Sequence, residues 1–161
     1  MMSHKIKVST LALLLVPALL GCAQGALKGS GDVVEAYPAI ATISATAGER
    51  INFEVKIDIQ KKWHLYAHED TMFIGVDLVP AKNFILEDFQ AEYPVGHEAE
   101  FFGEKVVMIS GKEVIKASAK LPSDLIKGEH ELKLSVTVQA CDNKTCLAPA
   151  DLPVALTLTV K

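Results

Sequence analysis

The chain has 161 residues, of which half are apolar and 22% are charged, and it carries three cysteines and a formal net charge of -4. These values fit one ordinary globular domain and exclude a long disordered chain, a collagen-like repeat and a disulfide-dense miniprotein. The acidic balance also argues against nucleic acid as a partner.

The N-terminal segment explains the high mean hydropathy of +0.26 and the odd number of cysteines. Two lysines precede an apolar run from Val8 to Leu20, which is shorter than the ~20 residues of a spanning helix but fits a secretory signal. The run ends in the tetrapeptide LLGC at Cys22, which resembles the bacterial lipobox. We predict a lipoprotein signal peptide over residues 1–21 and lipid attachment at Cys22. The alternative is an ordinary signal peptide with a chance cysteine.

Residues 22–35 then predict a lipidated, flexible linker, because the segment is rich in glycine, alanine and serine. Ala23, rather than aspartate, follows the cysteine, which favours a lipoprotein facing the periplasm from the outer membrane rather than the inner one. That compartment is oxidising, so the two remaining cysteines can persist there as a disulfide.

The rest of the chain predicts strands. Apolar and polar residues alternate with a period of two from Ile51 to Ile59, as in a half-buried strand. Similar patterns occur at 115–121, 132–138 and 154–160, with shorter candidates at 39–44, 73–79, 84–89 and 105–109. Short strands separated by turn signals, without a long amphipathic helix, are typical of an antiparallel β-sandwich. We therefore predict an all-β sandwich domain over residues 36–161.

Cys141 and Cys146 form the only cysteine pair in this predicted domain. Four residues separate them, unlike the Cys-x-x-Cys motif of thioredoxins, and no second pair is available to complete a zinc site. The spacing leaves two interpretations open. A structural disulfide in so short a loop constrains little of the unfolded chain, and a bridge in an exposed polar loop is open to an attacking thiolate.

Copper binding is a further hypothesis, since His64 and His68 are four residues apart and Met72 and Met108 are also present. In an extended segment, the two histidines would share a face. Paired histidines near a strand end are more often surface residues, however, and both methionines have strand-like apolar neighbours. We therefore expect no metal and no cofactor.

Three segments in the same order resemble the N-terminal periplasmic domain of the thiol:disulfide interchange protein family DsbD. The cysteine segment VQACDNKTCLAP covers residues 138–149, and the aromatic segment WHLY covers residues 63–66. The segment HEAEFFG at 97–103 is similar to the family's cap loop, in which an aromatic residue covers the disulfide. The resemblance extends over roughly 36–161 and implies an immunoglobulin-like antiparallel β-sandwich.

The resemblance also implies site residues. Cys141 and Cys146 would be the redox pair, with Cys146 forming the mixed disulfide with a partner. The cap and pocket would contain Phe101 as the cap, Phe102 beside it, Glu100 as a carboxylate near the sulfurs and Tyr66 as an aromatic wall. The chain departs from the best-known member in its cysteine spacing, which is one residue shorter. It also has Ala99 in place of an acid and Phe102 in place of a tyrosine.

The expected function is that of a thiol:disulfide oxidoreductase, a monomer that relays electrons through its cysteine pair. The sequence ends at Lys161 without a membrane electron conduit or a thioredoxin-like domain, so we expect it to receive electrons from another protein. The expected partners are thioredoxin-like or DsbD-type redox proteins. The alternative is a non-catalytic immunoglobulin-like binding lipoprotein with a structural disulfide.

Overall fold

A computed structural model describes residues 28–68, 70, 72–82, 86–101 and 103–161. The predicted signal peptide and Cys22 lie outside these residues. The described part contains a 3-10 turn, Ser30–Asp32, and the strands β1 Val34–Pro38, β2 Thr42–Ala45, β3 Arg50–Ile59, β4 Leu65–Tyr66, β5 Asp77–Pro80, β6 Glu87–Glu92, β7 His97–Phe101, β8 Glu104–Ile109, β9 Lys112–Lys120, β10 Gly128–Val138 and β11 Ala150–Val160. Within it, no helix has the length and apolar character needed to span a bilayer.

Two four-stranded sheets form the sandwich, with strand orders β1-β3-β9-β6 and β2-β11-β10-β5. Their strand pairs are antiparallel except for β2 and β11, which run parallel from the Thr42–Thr157 pair onward. This exception arises because the chain changes sheets at residues 39–41. β1 pairs with β3 in the first sheet, whereas β2 pairs with β11 in the second. The all-β, immunoglobulin-like sandwich is thus confirmed, with one parallel pair that the prediction did not include.

The hydrophobic core fills the space between these two sheets. Alternate residues of β3 are buried along its whole length, and β9, β10 and β11 repeat the pattern. Ile57, Ile115, Leu132 and Leu158 are among the large side chains with no solvent exposure. Burying one such side chain contributes about 1.5–3 kcal/mol to folding, so the core is extensive without the cysteine loop.

The structure corrects the predicted N-terminal linker, which extended to Glu35. Ser30 is fully buried and β1 starts at Val34, which is 1% exposed and belongs to the core. The Ser30 hydroxyl donates to Ala148 O over 2.7 Å and accepts from the Ala140 N–H over 2.9 Å. These contacts, named the Ser30 clamp from here on, make residues 30–35 part of the folded domain despite their linker-like composition.

Several strand boundaries also differ from the predicted ones. The strand predicted at 73–79 begins only at Asp77, and the one predicted at 84–89 is observed at Glu87–Glu92, while residues 83–85 lie outside the described part. The final strand already begins at Ala150 and includes Pro153, which pairs with Ser135. The cap segment at 97–103, expected to be a loop, is largely strand β7.

A third sheet, with the order β4-β8-β7, lies at one end of the sandwich. Tyr66 on β4 pairs with Met108 on β8, which also pairs with His97 at the start of β7. Gly96, just before β7, has φ = 69°, and a Cβ atom there would lie 2.7 Å from the carbonyl oxygen of Met108. Only glycine fits this entry into β7, so Gly96 sets the course of the β7–β8 hairpin toward the cysteine loop.

Candidate functional site

The cysteine loop follows β10. Cys141 and Cys146 form a disulfide with a Cα–Cα distance of 4.0 Å. The Asp142 N–H donates to Thr145 O over 2.9 Å, and the Leu147 N–H donates to Ala140 O over 2.8 Å. These flanking bonds make the two cysteines a directly opposed pair in a small antiparallel hairpin, so their side chains share a face.

Asp142 organises the tip of this hairpin. Its Oδ1 atom accepts hydrogen bonds from the backbone N–H groups of Lys144, over 2.8 Å, and Thr145, over 2.9 Å. An aspartate that bonds the backbone two and three residues ahead is typical of a tight polar turn. The same two bonds hold the pKa of the Asp142 carboxyl below its usual value, because they stabilise the ionised form.

His64 pairs with Cys141 on the other side of the loop. The His64 N–H donates to Cys141 O and the Cys141 N–H donates to His64 O, both over 3.0 Å. Two residues that exchange both backbone bonds are directly opposed, and their side chains project from the same face. The side chain of Cys141 therefore lies between those of His64 and Cys146.

Four rings lie close together beside the two cysteines. We call them the aromatic cluster, and they are His64, Tyr66, Phe73 and Phe101. Tyr66 follows His64 by two residues along an extended segment, so both side chains project toward the same face. Phe73 stacks on Tyr66 with ring centroids 4.2 Å apart. The ring of Phe101 meets that of Phe73 at 5.5 Å, that of His64 at 5.6 Å and that of Tyr66 at 6.0 Å.

The two sulfur-bearing residues differ in exposure. Cys141 is fully buried and packs in one cluster with Tyr66, Phe101 and Met108. Cys146 is half-buried at the edge of that cluster. Cys146 is therefore the more accessible of the two cysteines, while Cys141 is shielded by the aromatic cluster.

Two polar atoms in the cluster are buried without a hydrogen-bond partner among the described residues, Nε2 of His64 and the hydroxyl of Tyr66. Burial lowers the pKa of His64, with Asp142 acting in the opposite direction and His97 adding to the decrease. Burial, with a contribution from Asp70, raises the pKa of Tyr66 to about 12. Both side chains are therefore neutral at pH 7.

The structure brings together four of the residues that the sequence singles out: Cys141, Cys146, Tyr66 and Phe101. It does not bring Glu100 into this group, because the alternation of β7 turns Glu100 to the face opposite Ala99 and Phe101, where its side chain is exposed. Phe102 and Cys22 lie outside the described residues.

His64 and Phe73 are the members of the aromatic cluster that the sequence interpretation did not include in the pocket. The pattern His64-Leu65-Tyr66 carries a usable signal for His64, since extended residues two apart share a face and Tyr66 was already assigned to the pocket. Phe73 has no such signal. It lies in a loop shaped by Asp70, whose Oδ1 accepts the Phe73 N–H over 2.9 Å.

The two histidines considered for copper have different surroundings. His68 stacks on Tyr93 at 3.7 Å, and its Nδ1 lies 2.9 Å from Val76 O, whereas His64 belongs to the aromatic cluster. Met72 is 56% exposed. Within the described residues, no group of three or more histidine, cysteine, aspartate or glutamate side chains is arranged to hold a metal ion.

Comparison with known proteins identifies the family that this chain matches. Residues 30–157 match the family described as thiol:disulfide interchange protein DsbD, N-terminal. No curated protein matches the chain.

Two solved structures share the fold. The N-terminal periplasmic domain of ScsB from Proteus mirabilis matches with a TM-score of 0.53 and 12% identity, over 73% of this chain and 43% of that chain. The reduced DsbD N-terminal domain of Neisseria meningitidis matches with a TM-score of 0.51 and 16% identity, over 84% of this chain and 96% of that one. With its fold and the family match over residues 30–157, the chain belongs to the DsbD N-terminal domain family.

Proposed function

We propose that this protein exchanges a dithiol for a disulfide through Cys141 and Cys146. It would relay electrons in the periplasm between a thioredoxin-like or DsbD-type donor and the disulfides of other proteins. The observation that carries the proposal is the unequal exposure of the two cysteines, with Cys146 half-buried and Cys141 enclosed by the aromatic cluster. Family membership supports the same chemistry.

The exchange proceeds in two substitutions at sulfur. The thiolate of a reduced partner attacks Sγ of Cys146 and forms an intermolecular disulfide, and Cys141 leaves as a thiolate that takes up a proton. A second partner thiol, once deprotonated, attacks the partner's own sulfur and releases Cys146 as a thiolate, which is also protonated. Two electrons and two protons thus pass to this protein, and the reverse sequence passes them to a substrate disulfide.

Phe101 acts in this proposal as a lid over the buried sulfur. It is the last residue of β7, and the hairpin closes between it and Glu104. Moving a hairpin end requires no rearrangement of the two main sheets. A docking partner that displaces the ring opens the path to the disulfide, whereas small thiols and oxidants meet the closed lid.

A reduction assay tests this function. The purified oxidised protein is mixed with excess reduced thioredoxin and quenched with a maleimide, and the modified thiols are counted by mass spectrometry. We expect Cys141 and Cys146 both to become labelled. For trapping, a thioredoxin variant that keeps one cysteine is activated as its nitrothiobenzoate disulfide, so that nitrothiobenzoate leaves when the mixed disulfide forms. The Cys141→Ser variant should then trap a mixed disulfide through Cys146, while the matched Cys146→Ser variant should trap far less. A wild-type bridge that stays oxidised in reduced thioredoxin would contradict the proposal.

The proposed location is the periplasmic face of a membrane, with lipid attached at Cys22 after cleavage of residues 1–21. The LLGC tetrapeptide supports lipidation, and the similar ScsB domain is described as periplasmic. Ala23 favours the outer membrane. Labelling of cells with a fatty-acid analogue tests the attachment: we expect the wild-type protein to be labelled and a Cys22→Ser variant to be unlabelled. Equal labelling of both proteins would contradict it.

A further inference from the structure

Apart from His64, the side chains packed around Cys141 do not accept protons near neutral pH. The cluster around Cys141 contains Tyr66, Phe101, Val106 and Met108. Among these, Tyr66 titrates, but with its pKa at about 12 it holds its proton. To attack a mixed disulfide on Cys146, the Cys141 thiol must first lose its proton, and burial among apolar groups raises the pKa of a thiol. A base within the site would remove this obstacle.

His64 occupies the position such a base requires. It is directly opposed to Cys141 through two exchanged backbone hydrogen bonds, and the Cβ atoms of opposed residues lie about 4.5–5.5 Å apart. His64 is 8% exposed, and its Nε2 atom is buried without a hydrogen-bond partner among the described residues. We propose that Nε2 of His64 accepts the proton of Cys141 in the step that closes the disulfide.

This role rests on the exchange function proposed above, and its chemistry balances as follows. Cys146 has attacked a substrate disulfide and is joined to one substrate sulfur. The proton of Cys141 passes to Nε2 of His64, the Cys141 sulfur attacks Sγ of Cys146, and the intramolecular disulfide forms. The bond between Cys146 and the substrate breaks, and its electron pair leaves with the substrate thiolate. The imidazolium then releases its proton to water.

The charges around the ring favour a base that is neutral at rest. Burial is the largest effect that lowers the pKa of His64, and His97 at the start of β7 acts in the same direction. Asp142 on the cysteine loop, whose own pKa is lowered, acts in the opposite direction and stabilises the imidazolium once it forms. Tyr66 remains uncharged. His64 is therefore available as an acceptor at neutral pH, with a carboxylate acting on the charge it gains.

A two-phase assay isolates the step. The reduced protein is mixed with the chromogenic disulfide dithiobis(nitrobenzoate), which releases one coloured thiolate when Cys146 attacks and a second when Cys141 closes the ring. We expect His64→Gln to leave the first phase unchanged and to slow the second by about a hundredfold, as expected for a missing general base. Mass spectrometry of quenched samples should show the mixed disulfide accumulating in the variant.

The pH profile separates a proton acceptor from a merely structural residue. Between about pH 7 and 8, the second phase of the wild type should be flat, because His64 is already neutral. In His64→Gln, the rate should rise about tenfold per pH unit, because only the thiolate formed by ionisation into solvent reacts. The matched control is His68→Gln, at a partly buried histidine that stacks on Tyr93 outside the cluster, and it should behave as the wild type.

Equal second-phase rates and equal pH profiles for the wild type and His64→Gln would overturn the role of His64 and leave the exchange function intact. A wild type that forms no Cys141–Cys146 disulfide with either this reagent or oxidised thioredoxin would overturn both. If His64→Gln fails to fold, NMR titration of the His64 ring in reduced wild type and in Cys141→Ser decides. We expect different pKa values for the ring, and identical values would overturn the proposal.

Discussion

Phe101 is the residue whose position most directly links structure to reactivity. Its ring contacts three other members of the aromatic cluster and is 5% exposed. The same low exposure would be found for an ordinary core residue. The two roles differ in what removing the ring would uncover, since Phe101 packs in one cluster with the two cysteines, whereas a main-core phenylalanine packs among hydrocarbon groups.

Replacing Phe101 by alanine should accelerate reduction of the disulfide by small thiols and also lower stability. The matched control is Phe53→Ala, since Phe53 on β3 is also 5% exposed but belongs to the main core. Both changes should cost about 3–5 kcal/mol of folding free energy if their cavities do not collapse. Only Phe101→Ala should react faster with dithiothreitol under conditions where both variants are folded. Equal rates for the two variants would assign Phe101 to packing alone.

The sequence indicated the residues of the site through their resemblance to a family, and the structure shows where that approach fails. Four of these residues come together because the side chain of each projects from the face of its own extended segment that is turned to the others. They are Cys141, Cys146, Tyr66 and Phe101. Glu100 does not join them, because it alternates with Phe101 along β7. His64 was left out of the pocket although its spacing of two residues from Tyr66 carried a signal. Its position opposite Cys141 was not predictable, because that pairing joins distant parts of the chain.

At the scale of elements, the Ser30 clamp fixes the base of the cysteine loop. Besides the two bonds of its hydroxyl, the Ser30 N–H donates to Ala148 O over 3.0 Å. Ala140 directly precedes Cys141, and Ala148 follows Cys146 by two residues. The clamp therefore holds both ends of the loop to the first turn of the domain.

Removing this hydroxyl should destabilise the protein and loosen the loop. Ser30→Ala leaves the N–H of Ala140 buried without its acceptor, at a cost of about 1–3 kcal/mol. Denaturant unfolding measures the loss, and hydrogen exchange should show faster exchange of the amides of Ala140 and Leu147. The control Ser110→Ala, at an exposed position between β8 and β9, should change neither quantity. A Ser30 variant as stable as this control would contradict the prediction.

Periodicity predicted the strands that have one apolar face and missed those that do not. β3 and β10 bury alternate residues, so their sequences alternate visibly. Among the described residues, β7 has one neighbour, β8, and it buries only Phe101 fully. Its sequence therefore does not alternate clearly, and the family resemblance led to the expectation of a cap loop. The segment before β1 looked like a linker because a serine buried by two backbone partners is indistinguishable in sequence from an exposed one.

At the scale of the whole molecule, the main core and the smaller cluster around Cys141 are separate groups of buried residues. The main core extends between the two four-stranded sheets and contains neither cysteine. The overall fold was predictable because many alternating strands determine a sandwich. The parallel pairing of β2 with β11 was not predictable, because it depends on where the chain crosses between sheets.

Reduction of the disulfide should therefore weaken the protein without unfolding it. Chain entropy alone gives such a short bridge about 2 kcal/mol, which is small beside the burial in the main core. We expect a lower melting temperature in dithiothreitol and an unchanged far-UV circular dichroism spectrum at 25 °C. A Cys141→Ala, Cys146→Ala double variant should match the reduced wild type. Unfolding at 25 °C in either case would favour the alternative of a structural disulfide.

Under the proposed lipidation, the Ser30 clamp would also set how far the cysteine pair can lie from the membrane. Because Ser30 bonds residues on both sides of the cysteine loop, the chain enters the domain beside the end that carries this loop. Under the proposed lipidation of Cys22, only the residues between Cys22 and Ser30 separate that end from the bilayer. Eight residue steps span at most roughly 30 Å when fully extended. The disulfide would therefore stay within about that distance of the membrane surface, and partner proteins would have to approach the membrane to react with it.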